Sequence, residues 1–161
     1  MSSIHSSRGF TLVETIVATS ILITALAGVA QLLLLGAQLT RQASVSGQAL
    51  IAAQDKLESL RGLPFGYDEI GGNHTAPALA PSPYSSLSEN LPPYVDWIDS
   101  SGAPLTDSGG AALVRRWRID TLDDAAPEAI TIEVCVFRAS TGETDIRAAE
   151  ACLSTIRTRQ P

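Results

Sequence analysis

Residues 8–40 read RGFTLVETIVATSILITALAGVAQLLLLGAQLT, and the fold is decided there. Arg8 and Glu14 are the only charged residues in the stretch, and the 26 positions from Thr15 to Thr40 carry no charge at all. At a rise of about 1.5 Å per residue these positions make a helix about 39 Å long, more than the ~30 Å of a hydrocarbon core. Lipid offers no partner to an unpaired amide, so one crossing of this kind has to be helical. The nine residues before Phe10, MSSIHSSRG, are short and polar with one firm positive charge at Arg8, like a leader.

Beyond Thr40 the pattern changes without a break. Leu50, Ala53, Leu57 and Leu60 recur at three- and four-residue steps, with Gln54, Asp55, Glu58 and Arg61 on other faces, which is an amphipathic helix. No proline interrupts the chain before Pro64, and Gly62 precedes it, so one helix is expected from about Phe10 to about Leu60. From 64 to 113 seven of the nine prolines (Pro64, Pro77, Pro81, Pro83, Pro92, Pro93, Pro104) stand among Gly and Ser, which disfavours long elements and leaves room for one short strand at Tyr94–Ile98. Residues 114–161 read as β. Trp117 and Ile119 alternate with Arg116, Arg118 and Asp120, and Ile130, Ile132, Val134 and Val136 alternate with Thr131 and Glu133. Cys152 to Thr158 supplies a third strand of an antiparallel sheet.

The fold class expected is therefore α+β. A long N-terminal helix has a transmembrane first half (10–40) and an amphipathic second half (41–63). The second half packs on a small antiparallel sheet whose face, Trp117, Ile119, Ile130, Ile132 and Val134, covers Leu50, Leu57 and Leu60. Small residues at Thr24, Gly28, Gly36 and Thr40 form a stripe on the membrane half that allows close helix approach.

A chain of 161 residues with 45% hydrophobic content has room for one compact domain beside that segment. Its net charge of -6 provides no clustered cations for phosphate, so no nucleic-acid partner is expected. Cys135 and Cys152 lack the CxxC spacing of a metal site and suit one local disulfide in an oxidising compartment; two free buried thiols are the alternative. His5 lies in the leader, leaving His74, in a Gly- and Pro-rich loop, as the one histidine for any catalytic or metal arrangement. The acids Asp96, Asp99 and Asp107, and Glu143, Asp145 and Glu150, have no EF-hand spacing and read as solvated loop residues. No catalytic residue, metal or cofactor is expected.

A secretory signal peptide is the first rival for the N-terminus, because Ala25-Leu26-Ala27 offers a small-x-small cleavage site. Against it, Glu14 stands where an ordinary apolar region has no acid, and apolar sequence continues through Leu32–Leu35. Arg8-Gly9-Phe10-Thr11-Leu12-Val13-Glu14 instead resembles the processing motif of type IV prepilins. The resemblance implies cleavage between Gly9 and Phe10 by a prepilin peptidase, N-methylation of Phe10, and Glu14 as fifth residue of the mature chain. It also implies a C-terminal disulfide loop, to which Cys135 and Cys152 correspond in rough position.

Independently of any family, an ionised carboxylate in hydrocarbon costs several kcal/mol at least unless a cation is near. Cleavage after Gly9 creates one, the amino group of Phe10, which Glu14 of a neighbouring subunit can meet in a bundle of parallel helices. The strand pair around Arg115–Asp120 and Ile130–Val134 resembles minor pilins of the PilV type and the I-type minor pseudopilin of type II secretion. Gln31, at the mature position where major pilins often carry proline, departs from the major-subunit pattern.

The expected partners are other pilin or pseudopilin subunits, the prepilin peptidase, an inner-membrane assembly platform and the membrane itself. Arg8 keeps the leader cytoplasmic and sends the C-terminal domain to the periplasm, as a single-pass inner-membrane protein that then enters a filament. A different class of function is a membrane-tethered periplasmic binding module or enzyme, for which the helix is only an anchor.

Overall fold

The computed structural model describes residues 11–67, 69–122, 128–139 and 146–159. The chain divides into two compact units, Met1–Ala43 and Ser44–Pro161. A single 50-residue helix, α1 (Leu12–Arg61), makes up the first unit's described helix and opens the second. Its length follows from the lack of proline before Pro64, which with no N–H and a fixed φ cannot continue the ladder. At the C-terminal end Gly62 N–H donates to Glu58 O at 2.9 Å, and Arg61 in the last turn faces the negative end of the helix dipole. The helix starts at Leu12; Phe10, the expected first residue, lies outside the described residues.

Among the described residues seven strands follow: β1 (Phe65–Tyr67), β2 (Asn73–Thr75), β3 (Val95–Ile98), β4 (Pro104–Leu105), β5 (Leu113–Thr121), β6 (Ala129–Arg138) and β7 (Ala151–Thr158). Five of them make an antiparallel sheet in the order β4-β3-β5-β6-β7. The β5–β6 pair runs from Leu113 opposite Arg138 to Thr121 opposite Ile130, so the alternating residues of both strands fall on common faces. β1 and β2 form a separate two-stranded hairpin. That hairpin and β4 lie in the region where the sequence promises one short strand. Each is only two or three residues long, too short for a period-two pattern to show.

The main core lies between α1 and one face of the sheet. Trp117, Ile119, Ile130, Ile132, Val134 and Val136 pack on Ala49, Ala53, Leu57 and Leu60, all buried. Leu50 is the exception to the expected set: it is 42% exposed and Ala49 takes its place. At 100° per residue Leu50 stands about 65° from the centre of the stripe formed by residues 49, 53, 57 and 60, which puts it on the rim. Alanine at 49 and 53 lets the helix backbone approach the sheet.

Cys135 and Phe137 point to the opposite face, where Leu87 and Ala149 cover them. The cover comes from the Pro- and Ser-rich stretch, which is better organised than its composition suggests. A 3-10 turn at Tyr84–Leu87 lies over the sheet, and Ser82 Oγ accepts the Ile119 N–H at 3.0 Å.

Candidate functional site

The start of α1 is built by Thr11. Its Oγ1 accepts the backbone N–H of Glu14 at 3.2 Å, satisfying one of the donors that every helix start leaves open. The Thr-x-x-Glu spacing is the signature of a capping box, so this role was readable in the sequence although no site role is expected for Thr11 above. Glu14 is thus in the first helical turn and exposed, where the positive end of the helix dipole favours an acid. Among the described residues its carboxylate has no hydrogen-bond or ion-pair partner. Gly9 and Phe10, the expected processing pair, lie outside the described residues.

From Thr11 to Ser44 every residue is exposed, including Leu32, Leu33, Leu34 and Leu35 at 55% to 70%. One 18-residue window reaches a mean hydropathy of 2.1. The helix is long and apolar enough to cross a membrane.

The Ser and Thr hydroxyls between residues 15 and 40 are satisfied within the helix. The hydroxyls of Thr15, Thr19, Ser20, Thr24 and Thr40 each donate to a carbonyl four residues back, at 2.8 to 3.3 Å. A hydroxyl paired in this way enters lipid without an unmet donor. Of the small-residue stripe, Thr24 and Thr40 are engaged in these bonds, and Gly28 and Gly36 have open space where a Cβ would stand.

In the second unit the charged residues form local structure. Arg115 is buried on the helix side of β5, its guanidinium donating to Ala52 O at 2.8 Å, Asp55 at 3.2 Å and Asp96 at 2.9 Å. Lys56 reaches Asp96 at 2.9 Å and lies 3.6 Å from the centre of the Trp117 ring, covering the edge of the core with its stem and a cation–π contact. Neither arginine nor lysine at these positions stands out in the alternating pattern, because one inward charge among apolar residues looks like the end of a strand.

On the other face Arg116 lies over the Phe137 ring at 4.7 Å and donates to Asn90, Leu87 O and Ser88 O. Burial pushes its pKa down from the ordinary arginine value. Near the β1–β2 hairpin Arg159 stacks between Phe65 and Tyr67, and the Tyr67 hydroxyl donates to Glu128 at 2.9 Å, which pushes the phenol pKa up.

Of the acids expected as solvated loop residues, Asp96 instead stands in strand β3, half-buried between two cations, because it neutralises Arg115 and Lys56 at the edge of the core. The other described acids of that set are engaged one by one. Asp96 holds Lys56 and Arg115, and Asp107 accepts the Gly109 N–H at 2.7 Å. Asp99 accepts from Ser101 N, Ser101 Oγ and Ala103 N at 2.7 to 2.9 Å, and these bonds, that of the Ser101 hydroxyl first, hold its pKa below the usual carboxylate range. Gly102, at φ +91°, supplies the left-handed step that closes this turn between β3 and β4. Glu150 pairs with Arg138 at 2.6 Å and accepts from Ser46 at 3.1 Å. Glu143 and Asp145 lie outside the described residues.

No cluster of three or more His, Cys, Asp or Glu suited to a metal ion occurs among the described residues. His74 is exposed and stands in β2 opposite Gly66, in a strand where the composition suggests a loop.

Among the described residues, cavities open on the second unit. One, of about 210 Å³, is bordered by Ile51, Asp55, Asp99 and Arg115; another, of about 310 Å³, by Phe65, Leu79, Ile130 and Arg159. Ser101 lines the first, but its hydroxyl belongs to the Asp99 turn, and His74 lines neither.

Cys135 and Cys152 form a disulfide between directly opposed residues of β6 and β7. It closes a segment with a sequence separation of 17 across the edge of the sheet.

In comparisons with known proteins, the chain matches no family model, no curated protein and no solved structure.

Proposed function

We propose that the chain is a structural subunit of a type IV pilus-like filament, a minor pilin or minor pseudopilin. It is made as a precursor, cut between Gly9 and Phe10, and held in the inner membrane by the first half of α1 until assembly. The observation that carries the reading is the position of Glu14: one acid, in the first turn of a helix whose next 26 positions are uncharged and exposed, four residues after the proposed new amino terminus.

In water such an acid is ordinary. In hydrocarbon it costs several kcal/mol at least unless a cation neutralises it, and the amino group freed at Phe10 is a cation at the right depth. A buried pair of this kind fixes which helix positions lie side by side, as polar residues fix register in coiled coils.

Further support comes from what the helix leads into. The same α1 buries Ala49, Ala53, Leu57 and Leu60 under a disulfide-bonded sheet, a combination suited to an extracytoplasmic head on a membrane rod. The resemblance of the β5–β6 strands to minor subunits, and Gln31 in place of proline, favour a minor over a major role.

Mass spectrometry of the native N-terminus tests the proposal. The expected peptide begins at Phe10 with one added methyl group. A chain beginning at Met1, or cut near Gly28, overturns it.

A further inference from the structure

Asn73-His74-Thr75 fits the acceptor pattern of N-linked glycosylation, Asn-x-Ser/Thr with x other than proline. The chain has only two asparagines; the other, Asn90, is followed by Leu91 and Pro92, and its Oδ1 is taken up by Arg116. A three-residue pattern arises often by chance, so its weight rests on what the fold does with it.

Placement comes first. Asn73 opens β2 straight after the hairpin loop, opposite Tyr67; Asn73 and His74 are exposed and Thr75 is half-buried. β2 pairs only with β1, so one side of the strand is free for an enzyme to approach. Gly71 and Gly72 stand before Asn73 and put no side chain in the way. Asn73 and Thr75 both border the cavity of about 310 Å³, so there is open volume beside the carboxamide.

The side chain is also oriented. Asn73 Oδ1 accepts from Arg159 Nη1 at 2.9 Å and from Thr75 Oγ1 at 2.7 Å. A guanidinium can only donate, so this contact fixes which end of the amide is the oxygen. Arg159 is itself held over the rings of Phe65 and Tyr67, which anchors the arrangement. Nδ2 is left as the free end, and no hydrogen bond from it is found among the described residues. The hydroxyl that the pattern requires two residues on is the one that touches the carboxamide.

We propose that Asn73 is a glycosylation site that receives an oligosaccharide from a polyprenyl diphosphate carrier. Nδ2 attacks the anomeric carbon of the first sugar. The new C–N bond forms as the bond from that carbon to the carrier's diphosphate oxygen breaks, one Nδ2 proton passes to a base of the transferase, and the carrier diphosphate leaves. No oxidant or reductant takes part. Oδ1 is unchanged by the reaction, so its bonds from Arg159 and Thr75 persist in the product. The inference rests on the extracytoplasmic placement of the second unit proposed above and not on assembly into a filament.

The test is mass spectrometry of the full chain purified from the cells that make it, digested without reduction so that the Cys135–Cys152 bridge is read in the same sample. The peptide containing Asn73 is expected to carry an oligosaccharide, with the bridge intact. N73Q and T75A are each expected to lose the oligosaccharide, the second with its asparagine in place, and T75S to retain it. Retention in T75S separates loss of the acceptor hydroxyl from misfolding. Bare Asn73 with an intact bridge overturns the glycosylation and leaves the extracytoplasmic placement standing; bare Asn73 with two free thiols overturns both. An oligosaccharide that persists in T75A, or that is lost from T75S as completely as from T75A, also overturns the proposal.

Discussion

Glu14 sits three residues after its cap, Thr11, and its backbone is already secured by that contact. Replacing its side chain therefore leaves the helix intact and removes only the charge. On the proposed function, Glu14→Ala is expected to be cut at Gly9 like the parent chain but to be missing from sheared filaments, since the proposed pairing with a neighbour's amino terminus is lost. Immunoblotting of the sheared and membrane fractions reads this. A tether has no such requirement, and recovery of the variant in filaments at parental level would refute the assembly role. Thr11→Ala acts differently, weakening the helix start by about 1 kcal/mol.

At Asp99 the same scale governs a pH effect. Its three turn hydrogen bonds depress the folded-state pKa, so their contribution is fully present above the ordinary aspartate range and is lost as pH falls through the lowered value. The melting difference between the parent chain and Asp99→Ala is expected to be constant at neutral pH and to vanish in acid.

Among the elements, the seam between α1 and the sheet carries the stability of the second unit. Ile132 is fully buried in its centre and Leu50 lies on its rim at 42% exposure. Ile132→Ala is expected to cost about 2–5 kcal/mol through lost transfer energy and an unfilled cavity, and Leu50→Ala to stay within about 0.5 kcal/mol, near the range of a surface change. Urea unfolding of the two variants measures the contrast, and equal losses would show that the seam is misplaced.

Much of this seam was legible in the sequence, because periods of two and of 3.6 are imposed by the backbone itself. Trp117, Ile119, Ile130, Ile132 and Val134 all fall inward, as their alternation requires. Leu50 was misjudged since an alanine-lined stripe can sit closer to a sheet than a leucine-lined one, and spacing alone does not say which edge is innermost. The β1–β2 hairpin and the cover formed around Tyr84–Leu87 were not legible, as both are held by tertiary contacts with residues far along the chain, such as those of Tyr67 with Glu128 and of Ser82 with Ile119. The cap at Thr11 was legible and went unread. Arg115 was not, because its three partners come from two other elements.

For the whole molecule the balance is between a small sheet and the links that hold its edge. Removing the Cys135–Cys152 bridge is expected to lower stability by about 2–4 kcal/mol, the usual range for a closed segment of this size. Comparison of Cys135→Ser/Cys152→Ser with the parent in thermal melts checks this, and an unchanged midpoint would assign the edge to β-ladder contacts alone. The bridge has another effect, on survival of proteolysis. A protease that severs any peptide bond between the two cysteines divides the polypeptide but releases nothing: the last strand stays attached through sulfur. A clipped molecule of this kind keeps its shape and its place, and the damage becomes visible only when a reductant separates the pieces.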